Sequence, residues 1–547
     1  MPDLPTLLAS APFADVLRTV GHVAAREGLA AYAVGGAVRD VLLDRPTTDL
    51  DFVTVGEGAG LRLANAVAQA LNGASVHVYE AFGTAAIRLP ERAGGHTLEF
   101  VGARRESYRA DSRKPDVEAG TLADDLARRD FTVNALAADL HPGRFGTLID
   151  PAGGLGDLAA RRLRTPLDPA RTFDDDPLRM VRAARFAAQL GFTLVPEALG
   201  AMRAQAARIE IVSMERVEAE LQKLIASPRP SAGFRVLYDG GLLAGLLPEL
   251  SALAGVEAVD GIGHKDNFAH TLQVVDNVVD RAFALGDSRY LRWAALLHDV
   301  GKARTKRWVA GKGWTFHAHD DVGARMVPAV FRRLKLPLDE RMAYVQRLVR
   351  LHHRPHALVD EGVSDSAVRR LLFDAGDDVD DLMLLVRADL TSKNPRRVAR
   401  YLRGFDRVDE KLREVEEKDH VRNFQPPVDG VEIMAALGVN EGLAVGILKE
   451  RLKDAVLDGL VPNEHAAAYA FVLAQKDDAL RRGRLFDGLR TALPLAERRA
   501  LGALRDALAT APLPDDDEAA LAYLDAVKAR ALAAGRRSEV GGARPEG

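Results

Sequence analysis

Two stretches of this 547-residue chain carry residue types at spacings that could do chemistry. The first is Tyr32-Ala33-Val34-Gly35-Gly36-Ala37-Val38-Arg39-Asp40, followed by Thr48-Asp49-Leu50-Asp51-Phe52. In a strand, side chains i and i+2 share a face, so Asp49 and Asp51 would point the same way. Two carboxylates that close repel unless a cation sits between them. Gly35-Gly36 ends an apolar run with a backbone that can approach phosphates. Together these residues suggest Mg²⁺-dependent transfer onto or from a nucleotide. Taken alone, the aspartates read equally well as two surface residues after a tight turn. Glu99, between Leu98 and Phe100, is a candidate third carboxylate, or a solvated strand glutamate.

The second is a set of histidines, most of the fourteen lying in the middle third. His298-Asp299 ends an apolar helix, Leu291–Leu297, with His270 upstream on an amphipathic helix and Asp389 downstream. Imidazole with carboxylate suits Mn, Fe, Ni, Co or Zn better than Mg²⁺ alone. His319, His352 and His353 add room for a second metal. A bridging Asp299 with a metal-bound hydroxide would then make a phosphoester hydrolase. Any single one of these histidines would read as an ordinary core residue; the adjacent His-Asp pair with distant partners does not.

The elements that position these residues follow from periodicity. Residues 6–30 read as one amphipathic helix. Ala31–Val34, Leu50–Val55, Val76–Tyr79, Ala85–Leu89 and Thr97–Val101 read as strands, with a helix over Leu61–Leu71, giving a compact head of sheet and helices. Residues 102–125, with Arg104, Arg105 and Arg109, read as a mobile basic loop, solvated by default and placed to act as a lid. Arg128-Arg129-Asp130 leads into a segment carrying Asn134. From about 156 onward the chain reads as helical. Asp174-Asp175-Asp176-Pro177 starts a helix with acids in its first turn. On it Arg179, Arg182 and Arg185 form an i+3 stripe, normally a wet face, and Asp176 and Arg179 could pair. The segment 476–506 holds Arg481, Arg482 and Arg484, a modest basic excess that could track an RNA backbone or simply be solvated. Residues 535–547 read as disordered.

Composition sets bounds. A chain of 547 residues holds three or four domains. The absence of cysteine excludes disulfides, thiolate zinc sites and cysteine nucleophiles, and fits the cytoplasm. A net charge of −4 gives no global case for nucleic-acid binding, which must rest on local patches. Apolar runs fall short of a membrane span, and Met1-Pro2-Asp3-Leu4-Pro5 lacks the basic start of a signal peptide.

In order along the chain, Gly35–Asp40 with Asp49-Leu50-Asp51, Arg104–Pro115, Arg128–Ala135, Asp175–Arg179 and Ser213–Lys223 resemble the motifs of the class II nucleotidyltransferase family. That family contains the CCA-adding tRNA nucleotidyltransferases and the bacterial poly(A) polymerases. The middle third resembles an HD-type phosphohydrolase domain through His270, His298-Asp299 and Asp389. The last part resembles the family's helical RNA-binding region through Asp429-Gly430, Gly438 and Gly446. The resemblance implies an α+β chain: a small polymerase-β-like head over 1–155, a helical neck over 156–228, an HD domain over 229–410 and a helical RNA-binding body over 411–534. It further implies that Asp49 and Asp51 hold two Mg²⁺ ions for transfer from CTP or ATP to the 3′ end of tRNA, with Glu99 a candidate third catalytic carboxylate beside them. By the same likeness Gly35, Gly36 and Arg39 meet phosphates, and Arg129, Asp130 and Asn134 hold ribose and phosphates. Asp176 and Arg179 read the base edge, with Arg182 and Arg185 alongside. The family usually has Glu where Asp175 stands. Its loop corresponding to Tyr108–Asp124 governs the switch from C to A, and some members add only CC or only A beside a companion enzyme. A poly(A) polymerase shares every head motif. An HD hydrolase with an RNA-binding head, or a plain RNA-binding protein, fits less well, since both Asp49 and Asp51, and both Asp176 and Arg179, are intact.

Overall fold

The computed structural model describes residues 3–47, 49–71, 74–79, 83–90, 95–109, 112–259, 262–263, 266–282, 286–361, 364–392, 394–419 and 425–540. Thr48 of the first motif, 541–547 of the expected tail and the Arg109 side chain lie outside that description. The chain forms two compact units: residues 1–352 with 384–394, and residues 353–383 with 395–547.

The head of the first unit is built on a seven-stranded sheet. Its strands are β1 (Ala31–Val34), β2 (Asp49–Thr54), β3 (Val76–Tyr79), β4 (Thr84–Arg88), β5 (Thr97–Gly102), β8 (Ala137–Asp139) and β9 (Leu148–Ile149). Their order is β3-β4-β5-β2-β1-β8-β9, with β2 and β5 parallel and the other neighbours antiparallel. The parallel register sets Asp51 beside Glu99 and Asp49 beside Thr97. The alternate positions Leu50, Phe52, Leu98 and Phe100 are buried, and Phe52 stacks on Phe100 at 4.9 Å between ring centres. Apolar side chains on one face therefore fix which way the carboxylates point.

Two expectations need correction. The single amphipathic helix over 6–30 is two helices, Leu4–Ser10 and Ala14–Arg26, parted by a short turn after Ser10. The basic stretch after residue 102 is not a loop: β6 (Arg104–Arg109) and β7 (Ser112–Ala119) pair as an antiparallel hairpin. Its many charges hid the strands, which pair through their backbone ladder.

Helices follow the head, among them Pro169–Asp175, Leu178–Leu190 and Met214–Ile225. Further along lie Asn267–Arg281, Arg289–Leu297, His319–Arg333 and Glu340–Leu351. A short hairpin, Arg307–Val309 with Gly313–Thr315, interrupts them.

The second unit is helical, with Leu493, Leu504, Leu508 and Leu524 at the centre of one core cluster. Its helix Gly430–Leu437 starts with a capping box between Asp429 and Glu432. The expected disordered tail overlaps the last helix, Asp517–Val540. Among the described residues no helix is long and apolar enough to cross a membrane.

Candidate active sites: a nucleotide cleft and a histidine–aspartate centre

A cleft of about 730 Å³ opens over the carboxylate face of the sheet. It gathers Gly35, Gly36, Arg39, Asp49, Asp51, Glu99, Arg129, Asp130, Asn134, Asp176, Arg179, Arg182 and Arg185, so every head candidate but the hairpin arginines converges there. Arg104 and Arg105 do not line it; Arg105 is exposed and lies 3.8 Å from Asp124.

Gly35 sits at φ +71°, and a Cβ there would come within 2.7 Å of the Arg129 guanidinium. Glycine is thus required both for the turn and for the approach of Arg129 to the backbone. Burial pushes the Asp51 carboxyl up; Arg129 draws it back and Asp49 raises it again. Glu99 is raised by burial, then by Asp51 and Asp49. Three clustered carboxylates, two of them raised by burial and by neighbouring negative charge, are the donor set a divalent cation relieves, so these residues fit Mg²⁺.

The cationic wall is tightly organised. Arg39 grips Asp40 with two nitrogens at 2.9 and 2.8 Å and donates to the Asn134 oxygen at 2.5 Å. Asp130 accepts from Asn134, from the Phe131 backbone and twice from Arg182. Burial would raise its carboxyl, but the Arg182 charge, the bonds from Asn134 and Arg182 and the Arg179 charge hold it far below the usual range. Arg185 pairs with Glu220 at 2.6 Å. Three guanidinium groups, of Arg39, Arg182 and Arg185, stand 5.3, 5.5 and 3.9 Å from the ring centre of Phe186. The arginine stripe is therefore not a wet face but the lining of the cleft. Asp176 does not pair with Arg179: it meets Arg216 at 3.3 Å, while Arg179 is buried and donates to the carbonyls of Thr172 and Arg128.

Sequence reasoning missed Phe186 and Asp125. The second is fully buried and anchors both Arg128 and Arg129. Its spacing of i+3 and i+4 to those arginines was the available signal.

A second centre lies in the helices that follow. His270, His298 and Asp389 form one group of potential ligands, and Asp299, His319 and His352 another. Asp299 links them, with one oxygen 3.6 Å from His270 and 3.4 Å from His298, and the other 3.5 Å from His319 and 3.9 Å from His352. The Nδ1 atoms of His298, His319 and His352 each sit 2.7 to 2.9 Å from the carbonyl three residues earlier, and that of His270 2.8 Å from the Thr391 hydroxyl. That arrangement turns every Nε2 inward as the ligand atom. His319 and His352 bring these atoms to 3.3 Å, and His298 Nε2 and an Asp299 oxygen are buried with no hydrogen-bond partner among the described residues. Burial would raise Asp299, but the His298 ring and the Lys302 ammonium, 2.6 Å away, hold it well below the usual carboxylate range. Orphaned buried ligand atoms around a bridging carboxylate fit two divalent metals.

His353 belongs to neither group. It is exposed, because successive helical positions lie about 100° apart and only His352 faces inward. Among the expected RNA contacts, Arg482 is buried against Asp478 and the carbonyls of Leu508 and Ala511, an interior tie rather than an RNA contact. Arg481 pairs with Asp517, and Arg484 is exposed.

A mixed-sheet head with a three-carboxylate cleft, followed by a histidine–aspartate helical domain, defines a nucleotidyltransferase carrying a second metal-dependent domain. Family models match accordingly: the Poly A polymerase head domain over 31–164, the probable RNA and SrmB-binding site of polymerase A over 191–253, and the HD domain over 267–393. The multifunctional CCA protein of Paraburkholderia phytofirmans is 33% identical over 78% of this chain and 94% of its own length. That of Pseudomonas aeruginosa strain LESB58 is 36% identical over 62% and 80%. The A-adding tRNA nucleotidyltransferase of Deinococcus radiodurans is 35% identical over 77% and 90%. The CCA-adding enzyme of Bacillus stearothermophilus, solved with CTP, superimposes with a TM-score of 0.58 at 25% identity over 86% of this chain and 99% of that one. The chain belongs to the family of CCA-adding tRNA nucleotidyltransferases and bacterial poly(A) polymerases, in a form that carries an HD domain.

Proposed function

We propose that this protein adds C, A or both to the 3′ end of tRNA from CTP and ATP without a nucleic-acid template, and that its HD centre hydrolyses a phosphoester. The observation that carries the first half is the meeting of Asp49, Asp51 and Glu99 with Asp176 and Arg179 in one cleft. Mg²⁺ bound by the carboxylates supplies charge neutralisation and activation at the reacting phosphate. Arg39 and Arg129, with the Gly35-Gly36 backbone, bind the triphosphate. Asp130 and Asn134 orient Arg182 and Arg39, and so set the positive wall that the triphosphate meets.

Base choice follows from donor and acceptor patterns. The Asp176 carboxylate accepts from the exocyclic amine of C or A, and Arg179 donates to the ring nitrogen beside it. A guanidinium has five N–H groups, and the Thr172 and Arg128 carbonyls occupy only two of those on Arg179. G and U present the reverse pattern and leave buried polar groups unpaired. The HD centre takes a transition metal such as Mn, Fe, Co, Ni or Zn, by its imidazole-rich donor set. The relatives' tRNA chemistry, with the cysteine-free composition, favours the cytoplasm.

One assay tests the transfer reading. Purified protein receives tRNAs ending before CC, after C and after CC, with CTP and ATP separately and together. The ladder separates CCA, CC-only and A-only addition, the latter two requiring a companion enzyme. An open-ended A ladder would establish the poly(A) polymerase reading instead, and no extension of any substrate would overturn both.

A further inference from the structure

Beside the HD centre lies a cavity of about 190 Å³, framed by the segment Ala252–Glu257, Asn267, Lys302 and Lys306. It adjoins the metal-ligand groups through two of its walls. Asn267 stands one helical turn before His270 on the same helix, and Lys302 holds Asp299 at 2.6 Å. Asn267 is 8% exposed and lines the cavity, where its amide can both donate and accept. The Lys302 and Lys306 side chains are only 20% and 18% exposed, so their charges act in a partly dry space. Lys306 is aimed from behind by the Trp314 ring, 4.6 Å from its ammonium, and Trp314 stands against Trp308 in the hairpin that runs between Lys306 and His319. Across the mouth, Glu257 reaches Lys306 at 2.8 Å but is 70% exposed. Only the Glu257 side of the pair faces solvent, so an anion of higher charge inside the cavity competes with it for Lys306.

We propose that this cavity is a second anion subsite of the HD centre, and that the centre's substrate is a nucleotide bearing a phosphate besides the one it loses. Asn267 and Lys306 hold the phosphate that is kept, while the ester to be cleaved lies at the metal-ligand groups. Hydrolysis balances as water adding to phosphorus, with the alcohol oxygen leaving and taking up a proton. The selectivity is for a bisphosphate, or for an RNA end with a further backbone phosphate, over a simple phosphomonoester. This rests on the phosphoesterase reading of the HD centre.

The test uses the full chain loaded with Mn²⁺ and p-nitrophenyl phosphate as reporter, so that the head's nucleotide cleft contributes no signal. Adenosine 3′,5′-bisphosphate and adenosine 5′-monophosphate compete as inhibitors. Wild type should prefer the bisphosphate by about 10- to 100-fold, the range of one or two charge-assisted hydrogen bonds. Lys306→Met with Asn267→Ala should erase the preference and leave reporter turnover unchanged. Lys306→Arg should retain it, which separates loss of the charge from loss of the fold. Equal inhibition of wild type by both nucleotides, or a preference surviving the double substitution, overturns the second subsite. No reporter hydrolysis by wild type, equal to Asp299→Ala, overturns the phosphoesterase reading and the subsite with it.

Discussion

Asp51→Asn should make the metal-free protein more stable while destroying transfer. Asp51 lies in register with Glu99 on the neighbouring strand, a spacing of about 4.8 Å. Two unit charges at about 5 Å cost ~0.8 kcal/mol in water and ~3 kcal/mol at an effective dielectric of 20. Glu99 and Asp49 are exposed and Arg129 pulls the other way, so about 1 kcal/mol of net repulsion remains. The folded pKa values of Asp51 and Glu99 are raised, so the folded state binds more protons than the unfolded one. Stability is therefore lost as pH rises from the ordinary carboxylate value of 3.8 through the raised one. Asparagine removes that loss. In EDTA at pH 8 the variant should melt about 2–4 °C above wild type, and the gap should close towards pH 4. With Mg²⁺ at ten times its dissociation constant, wild type gains ~1.4 kcal/mol that the variant forgoes, and the order inverts. Transfer should fall about 10³-fold or more, as expected for a lost ligand of the reacting metal. The assay is thermal unfolding in both buffers, paired with nucleotide incorporation. A variant less stable than wild type in EDTA at pH 8 would refute the electrostatic account, because Asp51 would then be a structural residue.

Three further outcomes follow from the same geometry. Asp299→Ala should abolish metal-dependent phosphate release and spare incorporation, while Asp49→Ala with Asp51→Ala does the reverse; joint loss in either protein would show that the two centres are coupled. Asp176→Ala should admit GTP and UTP about 10-fold more readily relative to CTP and ATP, with tRNA affinity by filter binding unchanged; a loss of tRNA affinity alone would count against base reading. Gly301→Ala should destabilise by about 3 kcal/mol or more and remove hydrolysis, because its Cβ would fall 1.9 Å from the His319 carbonyl oxygen; chemical denaturation at wild-type midpoint would disprove that packing.

Much of the candidate site was legible before the fold. The strands Ala31–Val34 and Val76–Tyr79 match their expected bounds, and β2 and β5 differ by a residue at their ends. Period-two alternation around Asp49 and Asp51 is a local pattern, and local patterns survive in one dimension. His298-Asp299 was equally visible because two ligands are adjacent. His353 was misassigned for the same reason: adjacency in sequence says nothing about which of two neighbours on a helix faces inward. Arg482 looked like a surface charge because composition cannot distinguish a solvated arginine from one tied to three interior acceptors.

Sequence alone determined the kinds of chemistry available here: paired carboxylates beside a glycine turn, a histidine–aspartate set, no thiols, and arginines on one helix. Tertiary structure decided what each group faces. It laid Glu99 beside Asp51 through a parallel strand pair 48 positions apart. It turned the arginine stripe inward over Phe186 and gave Asp176 to Arg216 rather than to Arg179. It also brought helices spread from His270 to Asp389 around one bridging aspartate. Spacing along a chain fixes only neighbours within a turn or a strand. Partners dozens of residues apart are chosen by packing, through the burial of apolar faces that carry the charged ones with them.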